Sequence, residues 1–111
     1  KSFSPSVNVK ESDHEFKLEL AAPGLSKEDF KINIENDMLN ISAEKKEEQA
    51  TQSEKYTRKE FSYASFKRTF TLPETADSEK IAAQYDNGVM TLVIPKKDEA
   101  RPKPLREIKI S

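Results

Sequence analysis

Hydrophobic and polar residues alternate along most of the chain, and this period of two is typical of half-buried β-strands. The alternating stretches are residues 7–9, 16–20, 30–34, 39–43, 66–72 and 81–85. Residues 89–94 are nearly all apolar, so we expect them to form a central strand that is covered on both faces. The pattern therefore predicts seven or eight short strands and no long helix.

Turn-forming residues separate these stretches. Pro23-Gly24 ends the second strand, and Ser26 followed by two acidic residues predicts a single capped helical turn. Residues 35–37 and 86–88 are typical of hairpin turns. Strands of this length with such turns predict an all-β, immunoglobulin-like sandwich of two antiparallel sheets, in preference to a barrel or a propeller.

The middle of the chain departs from this regularity. Residues 44–60 contain 10 charged residues among 17, which predicts a long solvated loop. Its second half, residues 55–59, is suited to pairing as an edge strand; the alternative is a flexible charged loop. Beyond it, the hydrophobic face changes register, which predicts a bulge or bend near Ala64-Ser65.

Composition limits the possible functions. The chain has 111 residues, enough for one small domain, with 19 basic and 20 acidic residues and 34% hydrophobic residues. Because the charges nearly cancel, the protein has no excess positive charge to attract nucleic acid or anionic lipid. No apolar run approaches the length of a membrane span. The absence of cysteine excludes a disulfide framework and is compatible with a cytoplasmic location.

The sequence contains no recognisable catalytic constellation. His14 is the single histidine, and both glycines, Gly24 and Gly88, are better explained as turn residues than as a phosphate-binding loop. One imidazole forms neither a triad nor a metal site, and His14 is better explained as a surface residue. We therefore expect no catalytic residues, no metal and no cofactor.

Two features call for a binding partner. After a proline-containing linker, Ile108 and Ile110 point the same way if extended, so strand addition along an exposed sheet edge would place both in apolar pockets. Their burial would contribute about 3–6 kcal/mol before ordering costs, and the alternative is that they form the last strand of the same domain. Arg68 shares a face with Phe66 and Phe70, so it needs a carboxylate or carbonyl partner within the chain or across a subunit boundary, unless it reaches solvent at an edge.

The chain resembles the alpha-crystallin domain and C-terminal extension of small heat shock proteins of the bacterial and plant type. Four segments carry the resemblance: the 83–90 stretch A-Q-Y-D-N-G-V-M, which is similar to the family signature A-x-x-x-n-G-V-L; Pro23-Gly24-Leu25; the arginine-bearing strand 66–73; and the I-x-I motif at 108–110.

The resemblance implies an ATP-independent holdase that binds unfolding proteins and assembles as homodimers and higher homo-oligomers. It divides the chain into a domain at 1–97, with a dimerisation loop at 44–60, and an extension at 98–111. The implied site residues are the tail motif, Ile108 and Ile110; the tail and client groove, Phe30, Ile32, Ile34, Ile81, Ala83 and Tyr85; and the dimer interface, Val7, Val9, Tyr56, Arg58 and Arg68.

Other possibilities remain open at this stage. A co-chaperone or scaffold module of the same architecture, binding one folded partner, would not need the two isoleucines. A carbohydrate-binding sandwich would display an aromatic platform, whereas the six phenylalanines fall mostly on inward faces and tryptophan is absent. Family members carry an apolar arm before the domain; because this chain begins almost at the first strand, we expect either a longer protein or an absent arm.

Overall fold

The computed structural model describes residues 4–49 and 60–111, which form two packed antiparallel sheets. The strands are β1 (Ser6–Glu11), β2 (Glu15–Ala21), β3 (Phe30–Glu35), β4 (Met38–Gln49), β5 (Glu60–Thr71), β6 (Ala82–Asp86) and β7 (Val89–Pro95). One sheet has the order β1-β2-β7-β6 and the other the order β3-β4-β5. The described helices are single 3-10 turns. The predicted two-sheet sandwich is confirmed.

The core lies between the sheets and is built from the inward residues of each alternating strand. Its buried side chains are Leu18, Leu20, Ala22, Leu39, Ile41, Ala43, Phe66, Leu72, Ala76, Met90, Leu92 and Ile94. Strand β7 is central in its sheet, between β2 and β6. Its residues alternate between buried and more exposed, so it is buried on one face only. The prediction of cover on both faces is wrong because Val89, Thr91 and Val93 lie on the outer face, where no second layer packs against them in the described structure.

Two hairpins turn through residues with positive φ. Asn36 and Asp37 connect β3 to β4, while Asn87 and Gly88 connect β6 to β7. Positive φ at both central residues defines a type I′ turn, whose twist matches that of paired strands. The predicted capped turn after Gly24 is also present, and there the backbone N–H of Ser26 donates to Asp29 Oδ2 at 2.8 Å.

The long hairpin of β4 and β5 differs from its predicted form. The charged stretch does not leave the sheet at residue 44, because β4 continues to Gln49 and pairs with β5 from Glu60 onward. The pairing is residue for residue from Met38–Thr71 to Gln49–Glu60, so the bulge predicted at Ala64-Ser65 is absent. Each residue of β4 finds a partner in β5, and the ladder needs no extra residue to change face.

The chain beyond β7 remains attached to the domain for a few residues. The N–H of Lys97 donates to the carbonyl of Thr75 at 2.8 Å, and Arg101 Nε donates to the carbonyl of Lys96 at 2.9 Å. Residues 102–111 form no strand and are exposed throughout. The tail thus leaves the domain after Arg101.

Candidate binding groove and assembly surfaces

One edge of the sandwich is an open apolar groove. Within the described residues, β3 pairs only with β4 and β6 pairs only with β7, so the outer backbone edges of β3 and β6 are unpaired. The groove between them has a volume of about 300 Å³. Its lining residues are Lys27, Phe30, Ile32, Ala83, Gln84, Tyr85 and Met90. The structure therefore brings together four of the six predicted groove residues.

Aromatic contacts fix the wall of this groove. The rings of Phe30 and Tyr85 lie 4.8 Å apart between centroids, and Phe30 meets Phe66 edge-on at 6.0 Å. The Tyr85 hydroxyl donates to the carbonyl of Ala22 at 2.5 Å. Because Ala22 is fully buried, this bond satisfies a carbonyl that water does not reach and holds the ring in place. The groove is preformed in the single chain.

The other two predicted groove residues, Ile34 and Ile81, lie beyond one end of this pocket and continue its apolar surface. Ile34 follows Ile32 on the inward face of β3, and its side chain is 40% exposed. Ile81 immediately precedes β6 and is half-buried against the core. Asp37 and Ser78 line one small cavity, so the end of β3 lies beside the segment that leads into β6. The groove thus runs from Phe30 and Tyr85 towards Ile34 and Ile81.

The tail motif does not occupy this groove in its own chain. Ile108 is 77% exposed and Ile110 is 92% exposed. The alternative in which they form a last strand of the domain is wrong, because residues 102–111 pair with no described strand. Apolar side chains this exposed at the end of an extended segment are available to another surface.

The opposite edge of the sandwich carries the described part of the predicted dimer interface. Val7 and Val9 lie on the inward face of β1, yet Val9 is 62% exposed. Arg68 is half-buried, and its Nη1 donates to the carbonyl of Pro5 at 3.3 Å. Its guanidinium carbon also lies 5.5 Å from the centroid of the Phe70 ring. Arg68 thus finds a carbonyl partner within the chain. Tyr56 and Arg58 lie outside the described residues.

Sequence reasoning missed two residues. Lys96 Nζ pairs with Glu11 Oε2 at 2.7 Å and lies 5.1 Å from the centroid of the Phe16 ring, and its side chain is only 12% exposed. Two consecutive lysines after a strand give no sign that the side chain of one of them is largely covered. Leu105 is 98% exposed. Its signal was present, because it is a lone apolar residue in the polar segment before the I-x-I motif.

His14 is exposed, and its backbone carbonyl accepts from the N–H of Lys96 at 2.8 Å. Within residues 4–49 and 60–111, no helix is long and apolar enough to cross a membrane. The same residues bring no three His, Asp or Glu side chains together as a possible metal site.

A two-sheet antiparallel sandwich with an apolar groove between two edge strands, followed by an exposed I-x-I tail, has the form of an alpha-crystallin domain with its extension. Residues 8–111 match the model of the Hsp20/alpha crystallin family. The chain belongs to this family, as the resemblance in the sequence predicted.

Individual relatives agree with this assignment. The chain is 33% identical over 101 residues to small heat shock protein C2 of Rickettsia felis, covering 91% of this chain and 66% of that protein. It is 40% identical over 99 residues to an 18.1 kDa class I heat shock protein of Arabidopsis thaliana, covering 88% of this chain and 60% of that protein. The chain thus spans about 60–66% of the length of these curated relatives.

Among solved structures, a small heat-shock protein from Xylella fastidiosa superposes with a TM-score of 0.70 at 33% identity. The match covers 98% of this chain and 97% of that one. Heat shock protein 16.0 from Schizosaccharomyces pombe gives a TM-score of 0.67 at 29% identity, covering 96% of this chain and 99% of that one. A bacterial and a fungal small heat shock protein therefore have the same fold as this chain.

Proposed function

We propose that the protein is an ATP-independent holdase that binds unfolding proteins in the cytoplasm and keeps them from aggregating. The observation that carries the proposal is the preformed apolar groove between two unpaired strand edges, together with membership of a family of small heat shock proteins. Partly unfolded proteins expose apolar side chains and strand edges, and this groove offers both kinds of contact.

The tail regulates access to the groove. Ile108 and Ile110 of one chain dock in the groove of another, with Phe30, Ile32, Ala83 and Tyr85 as their nearest surroundings. Burying two isoleucines contributes about 3–6 kcal/mol before ordering costs, so each contact is weak and reversible. A client competes for the groove whenever the tail leaves it.

Assembly follows from the geometry of these surfaces. The tail and the groove are different surfaces, so their contact is heterologous and links more than two chains. Dimers form at the other edge, where the unpaired side of β1 accepts a strand from the segment between β4 and β5 of the partner. The exposure of Val9 supports this proposal, because 62% of an inward-facing valine is left uncovered by the single chain. Arg68, which already orders the start of β1 through Pro5, lies beside that interface.

The experiment measures light scattering by an unrelated, heat-labile protein, with this protein added in increasing molar ratio and no nucleotide. We expect aggregation to be suppressed, and an unchanged scattering curve at a molar excess contradicts the holdase proposal. In parallel, sedimentation of the double variant I108S/I110S measures the assembly. We expect smaller assemblies, because both tail anchors are lost. An unchanged size instead supports the scaffold alternative, which does not use the tail.

A further inference from the structure

The groove and the tail each carry an exposed apolar residue that lies outside the proposed I-x-I contact. On the tail this is Leu105, which at 98% has the greatest exposure of the large hydrophobic residues in the described chain. On the groove it is Ile34, which is 40% exposed and does not line the 300 Å³ pocket that the two isoleucines fill. Exposed leucine and isoleucine side chains at the margins of one docking contact are suited to each other.

We propose that Leu105 of one chain is a third anchor that packs on Ile34 of a second copy, and that this contact fixes the direction in which the tail lies in the groove. The proposal rests on the proposed tail docking and deepens it. In this arrangement Leu105 lies beside Ile34, Ile108 beside Ala83, and Ile110 at the end of the groove lined by Phe30. The tail then runs parallel to β6 and antiparallel to β3.

The spacing of the anchors supports this arrangement. Leu105 and Ile108 are three residues apart, and a polyproline II segment has three residues per turn and a rise of about 3.1 Å, so it places both on one side about 9 Å apart. Pro102 and Pro104 favour that conformation in the segment leading to Leu105. Ile108 and Ile110 are two strand residues, or about 7 Å, apart. The three anchors therefore span about 16 Å.

The groove offers a surface of similar length. Phe30, Ile32 and Ile34 share the inward face of β3, and four strand residues span about 13 Å between the outer two. On the facing side, Ile81 immediately precedes β6 and Tyr85 lies within it, and the two are separated by the same number of residues. The difference of about 3 Å is within the length of a leucine side chain, so all three anchors reach apolar surface at once.

Charged residues lie at both ends of the groove. Residues 102–111 contain three basic side chains, at Lys103, Arg106 and Lys109, and one acidic side chain. At the Ile34 end of the groove, Asp37 and Glu74 line the small cavity together with Lys97, and Glu35 is exposed next to Ile34. Glu28 and Asp29 lie at the Phe30 end, so the basic residues of the tail meet acidic side chains in either direction, and the choice of direction rests on the exposed Ile34.

The test uses cysteine cross-links between full-length chains, because the native chain contains no cysteine. Each chain carries one cysteine, so a disulfide between two different variants forms only between copies. Unlabelled L105C is mixed with ¹⁵N-labelled I34C or, separately, with ¹⁵N-labelled K27C, which places the thiol at the opposite end of the groove. A third mixture, I108C with A83C, reports tail docking itself. Mild oxidation and peptide mass spectrometry give the yield of each mixed disulfide.

We expect the 105–34 bond to exceed the 105–27 bond at least about fivefold, because a disulfide requires Cα atoms within about 7 Å. The 108–83 bond forms in the same conditions. If 108–83 forms while 105–27 predominates, the tail lies in the opposite direction and the inference is wrong. If 108–83 forms and position 105 shows no preference, Leu105 is no anchor, although tail docking stands. If 108–83 does not form, the proposed docking fails as well.

A kinetic measurement gives an independent result. Leu105 is so exposed that L105S leaves the fold of the single chain unchanged, and loss of one buried leucine is expected to speed subunit exchange about tenfold or more. The matched control is E107S, which removes a charge from the same tail without removing an apolar contact and leaves the exchange rate near that of the native chain. Equal exchange rates for L105S and the native chain overturn the inference.

Discussion

The two glycines of the chain offer a matched test of how the β6–β7 turn is held. Gly24 and Gly88 both have positive φ, at +85° and +78°. A Cβ added at Gly24 meets no atom within 4 Å, whereas one added at Gly88 lies 3.2 Å from Pro23 Cα and 3.3 Å from Pro23 Cβ. The substitutions G24A and G88A therefore share the backbone strain and differ in the steric contact.

The expected magnitudes follow from these two contributions. Alanine in the left-handed region costs about 1–2 kcal/mol, and its smaller entropy in the unfolded chain offsets about 0.4–1 kcal/mol of that. We therefore expect G24A to lower the free energy of unfolding by about 1 kcal/mol. At Gly88 the new methyl group meets a proline whose ring is tied to the backbone, and overpacking adds about 1–3 kcal/mol. We expect G88A to cost about 2–4 kcal/mol in total.

Urea unfolding followed by circular dichroism measures both variants beside the native chain. All three are compared at one protein concentration, because any association between chains makes the measured stability depend on it. In thermal scans the difference corresponds to about 4–8 °C for each kcal/mol in a domain of this size. Equal destabilisation by G24A and G88A would show that the contact with Pro23 has no energetic importance and that φ alone accounts for glycine in the turn.

Two further predictions concern single polar contacts. Y85F removes the hydroxyl that donates to the carbonyl of Ala22, so we expect a loss of about 1–2 kcal/mol in urea unfolding with the ring still in the groove; no loss would mean that water replaces the bond. E11Q removes the negative charge beside Lys96 Nζ, and we expect about 1 kcal/mol of destabilisation that shrinks at high salt, whereas a loss independent of salt in the same assay would exclude an electrostatic origin.

The alternating pattern was sufficient to predict the strands, because inward residues of a half-buried strand must be apolar. The groove residues were implied by the family resemblance instead, and four of them, Phe30, Ile32, Ala83 and Tyr85, line one cavity in the structure. The two hairpin turns could also be predicted, because asparagine, aspartate and glycine are the residue types that tolerate the positive φ found there.

The same pattern failed where the structure depends on backbone pairing or on the packing of other elements, neither of which the side-chain types reveal. In β4, residues 44–49 are mostly charged, so nothing apolar marks the continuation of the strand, which depends on backbone pairing with β5. In β7 the apolar outer residues suggested a second cover that the fold does not supply. The partner of Arg68 was a backbone carbonyl, and a carbonyl has no signature in a sequence. Tertiary contacts of this kind require the structure.

The attachment of the chain at Arg101 has a mechanical consequence. The bonds from Lys97 to Thr75 and from Arg101 to Lys96 fix the origin of the tail, and Pro102 and Pro104 stiffen its first residues. Seven residues at about 3.1 Å each allow Ile108 to reach roughly 22 Å from that origin. Because this tether is short and its origin is fixed, Ile108 and Ile110 have a high effective concentration within that reach and almost none beyond it. In the proposed assembly, the reach of this tether would set an upper limit on the spacing between neighbouring domains.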